Sequence, residues 1–311
     1  MKKIFFSLLF AAAIGSIFSS CNDAKSGGDA VTLKFNLEKG KNYLYGIKSH
    51  FDMDMEVMGK KVNSGGDMDF GFNMKVDSID ADGSRTVSCT YDAVKFKVNA
   101  MGMDMGYDSK NVGDTTHEDA VNGMFRKIFG GIIGKSFRMT WTPKGEITKV
   151  EGLKEMMNGM MQNIDMPENM KGQMQMQMEN SFSDEQMKQA FSQGFSIYPD
   201  KPVKVGDSWN KNISRNVNNM KMDVDVKYTV KDIKADVVVL NLEGKINGGG
   251  ATAAAGMKMD MSGTQKGTME VDRTSGMPKT GNINMDIKMT SAQLPKPMDM
   301  KMMINIDGKQ N

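Results

Sequence analysis

Between residues 68 and 76 the chain reads Met-Asp-Phe-Gly-Phe-Asn-Met-Lys-Val, with a large apolar side chain at every second position. Successive side chains of a strand point to opposite faces, so Met68, Phe70, Phe72, Met74 and Val76 share one face and Asp69, Asn73 and Lys75 the other. The pattern predicts a strand buried on one side. It returns in Met53/Met55/Val57, Met101/Met103/Met105, Met220/Met222/Val224/Val226/Tyr228/Val230, Met257/Met259/Met261, Ile283/Met285/Ile287/Met289 and Met298/Met300/Met302/Ile304/Ile306. Together these runs predict a large antiparallel sheet with one methionine-lined face.

Taken in order, Val31, Leu33, Phe35 and Leu37 alternate as a first strand, and a turn at 39–42 leads into a long second one over 43–57. A turn at 58–61 precedes the strand over 68–79, which ends in Asp80-Ala-Asp-Gly83, a hairpin sequence that supplies a positive-φ position. Val87, Cys89 and Tyr91 lie on one phase of the next strand and Val94, Phe96 and Val98 on the other, which predicts a bulge near Asp92-Ala93. Residues 101–107 close the first β half.

A helical insert follows. Thr115 and Glu118 form a capping box ahead of apolar residues at helical spacing through Ile133, where Gly134 stops the helix. A short hairpin turns at Pro143-Lys-Gly145; Leu153, Met156, Met157, Met160, Met161 and Ile164 then make a second apolar stripe. The run Gln-Met-Gln-Met-Gln-Met at 173–178 suits helix or disorder better than strand. Ser183 and Gln186 cap a third helix that carries Met187, Ala190 and Phe191. The strands then resume in an order like the start: Gly40-Lys-Asn-Tyr43 returns as Gly206-Asp-Ser-Trp209, and residues 76–83 resemble 230–237. Either an internal duplication or shared hairpin grammar accounts for this.

The expected fold is therefore mostly β (α+β): a long-stranded, curved antiparallel sheet or half-barrel, with about three inserted helices covering its apolar face. A strand of 15 residues is about 50 Å long, and the inherent twist curls several of them together. Helices at 117–133, 153–164 and 184–194 carry the apolar stripes able to cover such a sheet. The inward face nominates Met68, Phe70, Phe72, Met74, Met220, Met222, Met285, Met289, Met300 and Met302 as the lining of an apolar cavity. Methionine packs adaptably and suits such a lining, although the same side chains filling the space completely is the competing expectation.

The first twenty residues change the picture. Lys2 and Lys3 precede an apolar run at 4–14 that is too short to span a bilayer, and Phe18-Ser19-Ser20 leads into Cys21. This reads as a signal peptide over 1–20, a polar, Gly-rich tether over 21–30, and one β-rich domain over 31–311 (β halves 31–110 and 199–311, helical insert 115–198). Small residues before a cysteine resemble the lipobox of bacterial lipoproteins, with Phe18 standing where Leu is usual. The resemblance implies lipidation at Cys21 and a membrane partner through that anchor. Without residues 1–20 the chain loses two lysines and no acid, leaving 38 basic and 38 acidic side chains. A neutral chain with Asp and Lys alternating on its outward face offers nucleic acid no basic stripe.

Little in the chain suggests a reaction. The glycine-rich run at 130–136 is one residue short of a phosphate loop and runs helix to strand, the reverse of what phosphate binding at a helix start needs. Ser78-x-Asp80-x-Asp82-Gly83 echoes a calcium loop but has Cys89 where the bidentate Glu belongs. His50 and His117 have no nucleophile motif around them, and Cys89 alternates with Val87 and Tyr91 as a small buried hydrophobe. The 34 methionines include Met-x-Met repeats, so Met53, Met55, Met58, Met101, Met103 and Met105 stand as alternative copper ligands, because thioether sulfur favours Cu(I). Those positions exchange freely with Val, Ile and Phe in the same phase, as they do when methionine serves as a hydrophobe.

With Ser19-Ser20-Cys21, Gly206-Asp-Ser-Trp209 and the Asp-Gly hairpins in view, the chain resembles uncharacterised lipoproteins of Bacteroidota-type cell envelopes. In architecture it is similar to the half-barrel lipid carriers of the Lol and mycobacterial lipoprotein types. The resemblance implies an outer-membrane lipoprotein facing the periplasm and no assigned activity. The expected role is a non-enzymatic binder of an apolar or lipid-like ligand, with no cofactor. A copper-binding envelope protein and a ligand-free interaction or adhesion module are the alternatives.

Overall fold

The computed structural model describes residues 29–57, 59–100, 103–111, 120–162, 172, 183–217, 220–251, 258–294 and 296–311. Cys21 and the leader, Met58, Met101, the Thr115/Glu118 cap with His117, and the run at 173–178 lie outside the described residues.

The chain forms β1 (Asn42–Val57), β2 (Lys60–Ile79), β3 (Arg85–Ala100), β4 (Met103–Asp108), β5 (Ser136–Trp141), β6 (Ile147–Glu151), β7 (Ser208–Val217), β8 (Met220–Ile233), β9 (Val237–Ala251), β10 (Lys258–Asp272), β11 (Pro278–Thr290) and β12 (Met298–Gln310). Helices α1 (Ala120–Gly130), α2 (Leu153–Gln162) and α3 (Asp184–Phe195) lie between β4 and β7. All twelve strands join one open antiparallel sheet in the order β6-β5-β3-β2-β1-β12-β11-β10-β9-β8-β7, with β4 added beside β3. The chain thus meanders outward from the middle to one edge, crosses through the helices to the other edge, and meanders back until β12 pairs with β1.

The alternating pattern sets the faces. In β8, Met222, Val224, Val226, Tyr228 and Val230 are buried and the residues between them are not. The phase change in β3 is a register shift: Gly71 pairs with Ala93 and Phe72 with Tyr91, so Asp92 is the extra residue.

One expectation is corrected. Segment 31–37 does not join the sheet as a strand and makes only one bridge, Val31 with Val203. Its alternation is real, for Val31, Leu33, Phe35 and Leu37 are all buried, yet alternation fixes which side chains face inward and not which backbone pairs with which. The segment crosses one end of the sheet instead, where Phe35 N donates to the Pro143 carbonyl (2.8 Å) and Asn36 N to the Ser275 carbonyl (2.8 Å). The three helices set apolar side chains against the same core as the sheet: Ile128 and Phe129 of α1, Leu153, Met156 and Met157 of α2, and Met187, Phe191 and Phe195 of α3. α1 packs on β4, α2 on β5, and α3 on both edge strands, β6 and β7.

The crossing segment anchors an aromatic floor. Phe35 sits 5.2 Å from Trp141 and 5.5 Å from Phe195, and Tyr45 lies 5.0 Å from Phe195, measured between ring centroids. Burying side chains of this size contributes roughly 1.5–3 kcal/mol each. Arg85, itself buried, fastens the segment by donating from Nε to the Leu37 carbonyl (2.8 Å), from Nη2 to Asn36 Oδ1 (2.6 Å), and from Nη1 to the Gly83 carbonyl. Three acceptors offset the desolvation that a buried guanidinium suffers. Tyr198 bridges the two hairpin ends, its ring beside the turn at Gly145 and its Oη donating to the Gly276 carbonyl (2.7 Å).

Candidate functional site

Above the floor the curled sheet leaves a cavity of about 300 Å³. Its wall is drawn from almost the whole sheet: Tyr45 and Ile47 of β1, Phe70 and Phe72 of β2, Tyr91 of β3, and single or paired residues of every strand from β7 to β12. α3 supplies Met187, Phe191, Gly194 and Phe195. Phe72 packs at 4.8 Å on Tyr91 and 5.4 Å on Phe191, so helix and sheet share one aromatic wall. Half-buried Ile47, Phe70, Ile213, Ile283 and Ile304 continue it.

The site carries no charge. Among the described lining residues the ionisable groups are the phenols of Tyr45, Tyr91 and Tyr228, and burial pushes all three above their ordinary pKa, so they stay neutral. Gln265 is the one amide, 4% exposed. A space of this size, apolar and aromatic with a few neutral polar groups, stands at the small end of ligand pockets, which run about 300–1,000 Å³. The described lining residues, apolar and aromatic with neutral phenols and one amide, are suited to holding an uncharged molecule. A second hollow of about 370 Å³, between β3, β4 and α1, mixes Phe96, Met105 and Tyr107 with the charged Lys95, Lys97, Asp104, Asp108 and Arg126.

Of the ten nominated cavity residues, Phe70, Phe72 and Met285 line the space. Met74, Met222 and Met289 are buried in packed core, whereas Met220, Met300 and Met302 are half-buried against it and Met68 is half-buried on β2. The methionines collect in the rungs beyond the cavity: Met53, Met300 and Ile287 stand side by side, and Met298, Met289 and Met261 form the next rung. Pattern reading missed Tyr45, Ile47, Phe195 and Gln265. The signal for Gln265 is a polar residue in the phase of Met259, Met261 and Met269, with Gly263 and Gly267 on either side.

The four alternative copper ligands among the described residues fall into two separate sets. Met53 and Met55 lie on β1, and Met103, 63% exposed, and Met105 lie on β4, with β2 and β3 between them. Three strand spacings of about 4.8 Å separate the two sets by roughly 14 Å along the sheet. Among the described residues no group of His, Cys, Asp and Glu could hold a metal ion. Burial pushes the Cys89 thiol well above its ordinary pKa, as expected of an inert core residue. The Asp80–Gly83 sequence is a hairpin turn in which Ser84 donates N–H (2.9 Å) and Oγ–H (3.0 Å) to the Asp82 carboxylate. No helix among the described residues is long and apolar enough to cross a membrane.

The fold and site define a mostly β protein with one open sheet curled around an uncharged apolar cavity. The chain belongs to DUF6263, a family of unknown function whose model matches residues 82–278, from the β2–β3 turn to the start of β11. No curated protein matches it. Among solved structures it is similar to DynF from the dynemicin biosynthesis pathway of Micromonospora chersina, at 7% identity over 97% of this chain and 94% of that one, with a TM-score of 0.23. It is also similar to OpdQ of Pseudomonas aeruginosa (6% identity, 88% and 100% covered, TM-score 0.23) and to a DUF1329 family protein from Desulfovibrio piger (7%, 87% and 84%, TM-score 0.12). Likenesses at these scores carry no argument about function.

Proposed function

We propose that this protein is a non-enzymatic, membrane-anchored envelope lipoprotein that binds an apolar or lipid-like ligand inside its curled sheet. The observation that carries the reading is the cavity of about 300 Å³ walled by Tyr45, Phe70, Phe72, Tyr91, Phe191 and Phe195. Interiors normally pack to a density near 0.75, so apolar walls around a space this large are what a ligand site requires and a self-sufficient core does not. The signal-like leader and Cys21 support attachment of the domain to the outer membrane on its periplasmic side, where the tether gives it reach.

Native mass spectrometry of the protein purified from its own envelope, followed by solvent extraction, tests the role. The expected spectrum has adducts of hydrocarbon-rich mass that extraction removes. A bare polypeptide mass with no extractable lipid or apolar compound would end the proposal.

A further inference from the structure

Gln265 sets a polar amide into an apolar row. It stands in the inward phase of β10, in the row Met259, Met261, Gly263, Gln265, Gly267, Met269, Val271, and its strand partners are Gly244 on β9 and Met285 on β11. The side chain is 4% exposed, lines the cavity, and has a buried Oε1 that no protein group among the described residues pairs. Buried polar atoms are paired in nearly every native structure, and each exception calls for a reason. Room has been made for this one. A Cβ on Gly244 would stand 2.8 Å from Gln265 Cγ and 3.0 Å from Nε2, so only a glycine there lets the amide lie in its place.

We infer that the cavity selects uncharged apolar molecules carrying one hydrogen-bond donor, and that Gln265 is the residue that reads the donor. This rests on the ligand-binding role proposed above and narrows its ligand class. An Oε1 acceptor calls for an O–H or N–H on the ligand. An ionised head is excluded by desolvation, because no lining side chain carries a charge to pair with a carboxylate, phosphate or ammonium. Long-chain or ring alcohols and secondary amides meet both conditions, whereas fatty-acid anions and phospholipid heads do not. The glycines beside and opposite Gln265 keep the inward surface low around the amide, so the polar end of a ligand can approach it while the aromatic wall takes the hydrocarbon.

The test is displacement of the neutral dye N-phenyl-1-naphthylamine from the full chain by decan-1-ol, by decyl methyl ether, which can accept but not donate, and by decanoate at pH 8. Decan-1-ol is expected to compete about tenfold more tightly than the ether, the scale of one hydrogen bond between neutral groups. Decanoate is expected to fail. Gln265→Leu, and Gln265→Met as a second variant, should erase the preference by weakening decan-1-ol about tenfold while the ether is unchanged. Both variants replace an unpaired amide with a side chain suited to its neighbours, and an unchanged urea midpoint verifies the fold. Equal competition by alcohol and ether, or a preference that survives both variants, overturns the role of Gln265 and leaves the cavity reading standing; a water held on the amide would give that result. Failure of dye, alcohol and ether alike to bind the wild-type protein overturns the cavity reading and this inference with it.

Discussion

Gly145 meets the main chain of Phe195 without a side chain between them: a Cβ at position 145 would fall on the Phe195 carbonyl, and the glycine holds φ +77°. Ser196 Oγ donates to the Gly145 carbonyl at 3.2 Å, so a side-chain hydrogen bond joins the β5–β6 turn to the residue that follows α3. Gly145→Ala is expected to cost about 2–4 kcal/mol, combining left-handed strain with displacement of α3. Gly206→Ala is the matched control, since it also has positive φ (+90°) but open space around it, and should cost only about 1–2 kcal/mol. Urea denaturation of both variants measures the difference. Equal losses would mean that the turn does not seat the helix.

Ile283 faces the cavity from β11, half-buried. Ile283→Phe should fill part of the space and lower the affinity for an apolar dye at least tenfold, with the melting temperature unchanged or raised, as cavity filling commonly gives. Dye titration together with a thermal melt checks this. A melting temperature that falls while dye binding is intact would show that residue 283 packs against core and not against open space.

His50, on the outward face of β1, sits between two carboxylates, with Nδ1 2.8 Å from Asp67 and Nε2 3.2 Å from Asp52. The hydrogen bond to Asp67, followed by that to Asp52, holds its pKa above the ordinary value. A raised folded-state pKa means that the pair contributes stability at pH values below the ordinary histidine value and loses it as the pH rises through the folded-state value. The contribution is small, because the ring is half exposed. An NMR titration of the His50 ring should show the raised midpoint, and Asp67→Asn should move it back toward the ordinary value. No movement would assign the shift elsewhere.

Attachment at Cys21 predicts that Cys21→Ser moves the protein from the membrane to the soluble fraction, since two acyl chains at ~0.8 kcal/mol per buried methylene are what would hold it there. Fractionation and immunoblotting decide it, and an unchanged membrane fraction would refute lipidation.

The separation of Met53/Met55 from Met103/Met105 predicts no Cu(I) binding tighter than that of a methionine-poor control in a chelator competition. Tighter binding by this chain would restore copper as a ligand.

Much of this architecture is legible in the sequence, and the part that is not has a physical reason. A period of two fixes which face Phe70, Phe72 and Met285 occupy, and the lost phase at Asp92 locates the bulge, because both are properties of one strand. The path of segment 31–37 is different in kind: its four buried residues need only an apolar partner, and hairpin ends at Pro143 and Ser275 satisfy them as well as a neighbouring strand would. Methionine abundance points to the methionine rungs, yet the cavity lies one level away among aromatic rings and isoleucines. Which rung opens into space depends on how far the sheet curls and on where α3 docks, and neither is written in any local window. Gln265 was visible as a polar residue out of pattern, but its unpaired Oε1 is a fact of packing alone.

The pairing of β1 with β12 sets a timetable for the chain. These strands are neighbours at the middle of the sheet, tied through Asn311 N to the Asn42 carbonyl at 3.0 Å, although almost the whole sequence separates them. The chain enters its folding compartment N-terminus first, so one flank of β1 is exposed until β12, at the far end of the sequence, arrives. Until then it presents a long row of unpaired amides and carbonyls, the surface on which edge-to-edge aggregation begins. A cell making this protein must therefore keep the early strands apart from one another, and deletion of the last 13 residues should leave an insoluble chain and not a smaller folded one.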